Sequence, residues 1–256
     1  MSEENNWQRD AIEKLASAAL NEQKSARRWG VFFKILMYSY LFFLLFLAMG
    51  WLGESKKTLS DHTALIEVAG VIEADGEVNA DSFIGSLHDA YEDKHTKGII
   101  LRINSPGGSP VQAGIINDEI ERQKRLHPTI PVYAVVEDIC ASGGYYIAAA
   151  ADRIYVDKAS IVGSIGVLMD GYGFTELMKK VGVERRLMTA GVNKGFLDPF
   201  SPQTEPQRKH AQAMLDQIHK QFIEVVKKGR GDRLKETPEM FSGLFWSGQQ
   251  AVDLGL

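Results

Sequence analysis

The stretch DICASGGYYIAAA, Asp138 to Ala150, sets one serine directly before two glycines and an alanine-rich run. The run reads as a helix, because alanine is the best helix former and Tyr145 and Ile147 add apolar bulk. Just upstream, PVYAVVE (Pro131 to Glu137) reads as a buried strand. Ser142 therefore stands where a strand turns into a helix, and its hydroxyl can either cap that helix or attack a carbonyl. A second glycine turn, Asn104-Ser105-Pro106-Gly107-Gly108, follows the strand pattern GIILRIN. In an open parallel sheet, reacting groups gather at the carboxyl ends of the strands. If these two strands are neighbours, the two turns meet at one edge. Glycine lets the backbone approach a ligand closely and adopt unusual φ values. N–H groups near Gly107, Gly108 and Gly143, aided by a helix N-terminus, can then hold a developing oxyanion.

A serine nucleophile needs a base. No G-x-S-x-G elbow surrounds Ser142, and no histidine is placed in the sequence to serve it. The histidines at 62, 88, 95, 127, 210 and 219 include no i, i+4 pair, so the sequence offers no helical zinc site. A lysine is the other option. Free lysine has a pKa of about 10.4 and is a poor base while charged; desolvation lowers that value. The candidate should therefore sit among apolar residues or glycines. Lys179 and Lys180 are adjacent, as are Lys227 and Lys228, and both pairs read as exposed. Lys194, within Gly191-Val192-Asn193-Lys194-Gly195-Phe196, has no charged neighbour within three positions. Composition alone reads it as a loop lysine.

The elements that must position these residues alternate. TALIEVAGVI (Thr63 to Ile72) has a strand pattern, and ADSFIGSLHDAYEDK reads as a helix with Phe83, Leu87 and Tyr91 on one face. GIILRIN, PVYAVVE and the segment around Arg153 to Val156 are further strands, and VQAGIINDEIERQKRLH is a helix between the first two of them. Strands alternating with helices predict an α/β domain with a mostly parallel sheet. Beyond Lys180, ERRLMTA reads as a strand and GVNKGFLDPFSPQ as irregular. A long helix follows from about Glu205 to Lys228, with Ala211, Met214, Ile218, Phe222 and Val225 as its core-facing stripe.

The chain of 256 residues carries a net charge of −4, and no basic stripe points to a nucleic-acid partner. Its one cysteine, Cys140, excludes an internal disulfide framework and a cysteine-based zinc site. The N-terminal part has a different character. Residues 1–28 are polar and read as a cytoplasmic segment, and residues 29–53 (WGVFFKILMYSYLFFLLFLAMGWLG) read as a transmembrane signal anchor. From Ile35 to Leu52 there are 18 residues without a charge, close to the roughly 20 needed to cross a bilayer. Lys24, Arg27, Arg28 and Lys34 precede the span, which favours an N-terminus in the cytoplasm. The rest of the chain then lies on the extracytoplasmic side, which is the periplasm in a Gram-negative source. Residues 54–62 read as a linker and 63–256 as the folded domain that carries the two glycine turns.

INSPGG, ASGGYY, GSIGV and TAGVNKGFLDPF, in this order and spacing, resemble the signal peptide peptidase A family of membrane-anchored bacterial serine peptidases. That family has the Clp-protease/crotonase fold, and the N-terminal anchor agrees with its short, single-domain form. The resemblance implies that Ser142 is the nucleophile and that Lys194, fifty-two residues later, is the general base. It implies that Ser164, in Gly163-Ser164-Ile165-Gly166-Val167, orients that lysine, and that the turn at Gly107 and Gly108, with Gly143, forms the oxyanion hole. It further implies no metal or cofactor, an inner-membrane location, and a homo-oligomeric ring beside the lipid. The expected substrates are remnant signal peptides and other short apolar peptides.

The family usually continues beyond SGQQAVDLGL, whereas this chain stops at Leu256. A fragment of a longer product or a natural truncation is therefore expected, with consequences for ring assembly and the binding groove. Two other readings stay open on the residues. One is a crotonase-like acyl-CoA enzyme, which would need a glutamate base. The other is a non-catalytic membrane scaffold.

Overall fold

The computed structural model describes residues 3–48 and 60–256. The chain divides into two compact units, Met1–Lys57 and Thr58–Leu256. The described residues of the first form one helix, α1 (Glu3–Ala48). Within its segment Leu20–Leu47 an 18-residue window has a mean hydropathy of 2.0, and the helix is long and apolar enough to cross a membrane. Ile35, Leu36, Phe42 and Leu45 are all exposed along it, so the helix is apolar around its circumference rather than along one stripe. Residues 49–53, the end of the expected span, and 54–59, most of the expected linker, lie outside the described residues.

The second unit runs β1 (His62–Ile72), α2 (Ala80–Glu92), β2 (Thr96–Gly108), α3 (Pro110–Leu126), β3 (Val132–Ala141), α4 (Gly143–Ala148), β4 (Arg153–Tyr155), β5 (Ile161–Gly163), α5 (Thr175–Lys180), α6 (Glu205–Arg230), β6 (Phe245–Ser247) and α7 (Gly248–Leu254). The sheet order is β1-β2-β3-β5-β6, with β4 also paired to β3. Every pairing is parallel except β5 with β6. Parallel neighbours need crossovers, and α2 and α3 supply them. Phe83, Leu87 and Tyr91 of α2 are buried, as their spacing predicts. The core joins them to Val68, Ile99, Leu101, Ile103, Ile116, Ile120 and Ala134. Local chemistry fixes the helix starts. The Asn79 side chain accepts from Ser82 N to cap α2, and Ser109 caps α3 ahead of Pro110 at its first turn.

Three differences from the sequence expectation have physical causes. First, β2 does not end at Asn104. After a register shift between Ala69 and Val71, Val71 and Ile72 pair with Gly107 and Gly108, so the glycine turn is held against β1 as a strand extension. Second, ERRLMTA forms no strand: residues 184–190 are exposed throughout. Among the described residues no neighbouring strand accepts their ladder bonds, and a lone strand has nothing to satisfy its backbone except water. Third, the stripe of α6 is core in its second half. Phe222 is buried, Ile218 and Val225 are half-buried, and Met214 is exposed.

Candidate active site

The carboxyl ends of β2 and β3 are neighbours, and the two glycine turns meet there. A Cβ placed on Gly107 would lie 2.6 Å from Gly143 N and 2.7 Å from Ser142 Cβ. One placed on Gly143 would lie 3.3 Å from Gly108 N. Contact this close requires glycine on both sides.

Ser142 does not cap α4. Its backbone sits at φ 52° and ψ −121°, and its side chain makes no cap hydrogen bond. Positive φ is rare for a residue with a Cβ and costs on the order of 1–3 kcal/mol. The fold holds it there by two bonds, from Ser142 N to Gly163 O at 2.8 Å and from Tyr146 N to Ser142 O at 2.9 Å. The half-buried hydroxyl is thus placed at a sharp strand-to-helix turn, where it helps neither the strand nor the helix.

The N–H groups around it divide into used and free. Gly107 N donates to Ser105 Oγ at 3.1 Å, so this N–H is already engaged. Ser109 N donates to Ile72 O at 2.7 Å. In a parallel ladder that bond turns the N–H of the preceding residue, Gly108, away from β1 and toward Gly143. Gly143 is the first residue of α4, where backbone N–H groups have no helical acceptor. Gly108 and Gly143 are therefore the N–H groups suited to an oxyanion. Gly107 serves by having no side chain.

Ser164 is the second non-glycine residue at φ 52°. Its amide donates to Leu244 O at 2.8 Å, and His219 Nε2 lies 3.1 Å from the carbonyl of the adjacent Ile165. A carbonyl can only accept, so Nε2 carries the proton. Ser142 and Ser164 line one cavity of about 690 Å³. Its walls include Val167, Leu168, Met169, Leu215, Ile218 and Phe222, which makes it a mostly apolar cleft that also presents the hydroxyls of Ser142, Ser164 and Ser242. Tyr146, which packs on Phe222 at 4.9 Å, also lines it. Burial, with the nearby Asp118, raises the Tyr146 phenol above its ordinary value, so it stays neutral.

The structure does not bring Lys194 to this cavity. It is exposed and absent from the lining. The segment that carries it, 167–204, is exposed over most of its length, including Leu168, Tyr172, Met188 and Val192. Cys140, two residues before Ser142, is fully buried, and burial pushes its thiol well up, so it offers no competing thiolate. Sequence reasoning did not single out Tyr146, His219 or Ser105. Tyr146 reads as helix filler, and the contact of His219 with Ile165 spans 54 positions. Ser105 lies inside a motif whose glycines draw attention first.

The model of peptidase family S49 matches residues 124–256, a stretch that holds Ser142, Ser164 and Lys194. A protein of Enterococcus faecium named "Putative signal peptide peptidase SppA" is 34% identical over 212 residues, 80% of this chain and 60% of that one. Protease 4 of Haemophilus influenzae is 34% identical over 200 residues, 75% of this chain and 32% of that one. A Brucella abortus protein named Na(+)/H(+) antiporter NhaA is 48% identical over 175 residues, 68% of this chain. That match covers 24% of the Brucella protein, so its name carries nothing about this chain. This chain thus spans between about a quarter and 60% of the length of these relatives. The chain belongs to peptidase family S49, the signal peptide peptidase A family.

Proposed function

We propose that this chain is a membrane-anchored serine peptidase that cuts short apolar peptides, remnant signal peptides among them. In this reading Ser142 Oγ attacks the peptide carbonyl, and the N–H groups of Gly108 and Gly143 receive the oxyanion. Lys194 takes the hydroxyl proton and passes it to the leaving amine. Water then attacks the acyl-enzyme, with the lysine again accepting the proton, and Ser142 is regenerated. Ser164 orients the lysine. The carrying observation is the strained, uncapped Ser142 between two glycine turns in a mostly apolar cleft. A preorganised pair of donors of this kind is worth roughly 10²–10³ in rate for each donor.

Lys194 is off the cavity in a single copy, and its segment leaves Met188 95% and Val192 98% exposed. We assign this segment to contacts between copies in a homo-oligomeric ring, which carry a lysine to each cleft. The catalytic domain is taken as 63–256 and the anchor as 29–53, with the N-terminus in the cytoplasm by the excess of lysine and arginine before the span. The acyl-CoA alternative loses support because the matching family model and the Enterococcus faecium and Haemophilus influenzae relatives are peptidases.

The test uses full-length protein in detergent and an apolar fluorogenic peptide. Wild type cleaves it, while Ser142→Ala and Lys194→Ala do not. Co-expressing the two inactive variants restores part of the activity, because one copy lends its lysine to another's serine. Full activity in Lys194→Ala would remove the lysine from the mechanism.

A further inference from the structure

We infer that Ser105 is a positioning residue that decides which N–H of the first glycine turn faces the oxyanion. It occupies Gly107 and leaves Gly108 for the substrate. The inference rests on the peptidase reading above and assigns a role within that same site.

Ser105 is fully buried in the bulge of β2. The register of β1 on β2 passes from Ala69–Asn104 to Val71–Gly107, so Gly70, Ser105 and Pro106 have no partner in that ladder. The hydroxyl of Ser105 fills the gap. It donates to Gly70 O at 2.6 Å and accepts from Gly107 N at 3.1 Å. A hydroxyl has one proton. Once it is committed to Gly70 O, a lone pair of the oxygen faces Gly107 N, and the orientation of that peptide is set. Pro106 has no N–H to compete. Gly70 itself sits at φ +95°, a conformation that suits glycine.

Ser105 also supports the second turn. A Cβ on Gly144 would lie 3.0 Å from Ser105 O and 3.3 Å from Ser105 Cβ. The second glycine after Ser142 therefore lets the start of α4 rest on Ser105, and one buried residue underlies both halves of the oxyanion site. Removing its hydroxyl leaves the buried Gly107 N without its acceptor and takes from Gly70 O, on an exposed residue, a donor that water can replace. The 106–108 backbone is then free to rotate, and Gly108 N–H loses its fixed direction.

The experiment compares wild type with Ser105→Ala as full-length protein in detergent. It reads kcat and KM on an apolar peptide, and the affinity of a peptide aldehyde that adds to Ser142 and places its oxygen where the oxyanion forms. The expected result is a fall in kcat of roughly ten- to a hundredfold, KM within about twofold, and aldehyde affinity lost in the same ratio as kcat. Ser105→Thr, which keeps the hydroxyl, recovers part of the loss. Unchanged kcat and aldehyde affinity in a folded Ser105→Ala would overturn the proposal. A second measurement needs no ligand: in ¹⁵N-glycine-labelled wild type, the Gly107 amide exchanges slowly with solvent and Gly108 exchanges fast. Fast exchange at Gly107 overturns the proposal whatever the activity. Absence of peptide cleavage by wild type strikes the peptidase reading instead, and is seen before any Ser105 variant is compared.

Discussion

The amide of Ser142 donates to the carbonyl of Gly163 at 2.8 Å. That bond ties the turn of Ser142 to the turn that carries Ser164, across the short pairing of β3 with β5. The two strained serines are therefore parts of one construction. Gly163 sits at φ +105°, and a Cβ on it would lie 2.9 Å from Trp246 Cδ1, so the indole of β6 packs on the link from the far side. The antiparallel β6 closes the sheet at the place where the site needs backing.

Gly107→Ala follows from this closeness. Its Cβ would press on Gly143 N and Ser142 Cβ at a φ of +101°. Backbone strain of this sort costs about 1–3 kcal/mol, and the collision displaces Ser142, the proposed nucleophile. The expected outcome is a lower melting temperature and at least a hundredfold loss of peptide cleavage, as a misplaced reacting group produces. Retained activity at a normal melting temperature would show that the turns are looser than described.

Ser164→Gly separates stability from activity. Glycine accepts φ 52° without a Cβ penalty, so the variant gains stability of about 1 kcal/mol from relieved strain. It loses the hydroxyl proposed above to orient Lys194, and on that proposal cleavage falls by roughly tenfold or more. A thermal melt beside a rate measurement checks both halves. A loss of stability would mean that the strain is not where the backbone places it.

His219→Phe removes the donor to Ile165 O, a contact of 3.1 Å at a fully buried residue. A buried carbonyl left without its partner costs about 1–3 kcal/mol. His219→Gln places an amide N–H at a similar reach, so it recovers most of that loss. Denaturant unfolding of both variants measures the difference. Equal destabilisation by phenylalanine and glutamine would show that the ring, not the bond, matters.

The pH response of stability has a named contributor away from the site. Arg122 Nε and Nη2 each donate to Glu119 at 2.7 Å, and His88 and Gln123 add bonds at 2.7 and 2.8 Å. These hold the Glu119 carboxyl at about 2, against an ordinary 4.5, with Arg122 the largest cause. A carboxyl whose folded value lies below its unfolded one stabilises the fold above the unfolded value. That contribution is lost as pH falls from about 4.5 toward 2. The melting temperature of wild type should therefore exceed that of Glu119→Gln at pH 7, with the gap closing as pH is lowered through 4 to 3. A gap independent of pH would contradict the assignment.

Much of this molecule is legible in its residues. The glycine turns, the period-two strands and the i, i+4 face of α2 each carry a local signature, and Ser142 and the turn at 107–108 fall where those signatures place them. The three-residue strands β5 and β6 do not, because IVG and FWS are too short to show a period. Their pairing is decided by contacts between segments some eighty positions apart. The segment 184–190 has strand-like composition and no strand to pair with. Lys194 stands out by its glycine neighbours, yet composition says nothing of how it reaches a serine. Ser105 was hidden because its task is done by a hydroxyl between two backbone groups, a relation that only the bulge in β2 creates.

The most direct test of the central claim is labelling of the full-length chain, in detergent, with a serine-reactive fluorophosphonate, followed by mass mapping of the modified peptide. One adduct is expected, on Ser142, lost in Ser142→Ala and blocked by prior exposure to an apolar peptide aldehyde. Undiminished labelling of Ser142→Ala, or an adduct mapped to another serine, would contradict it.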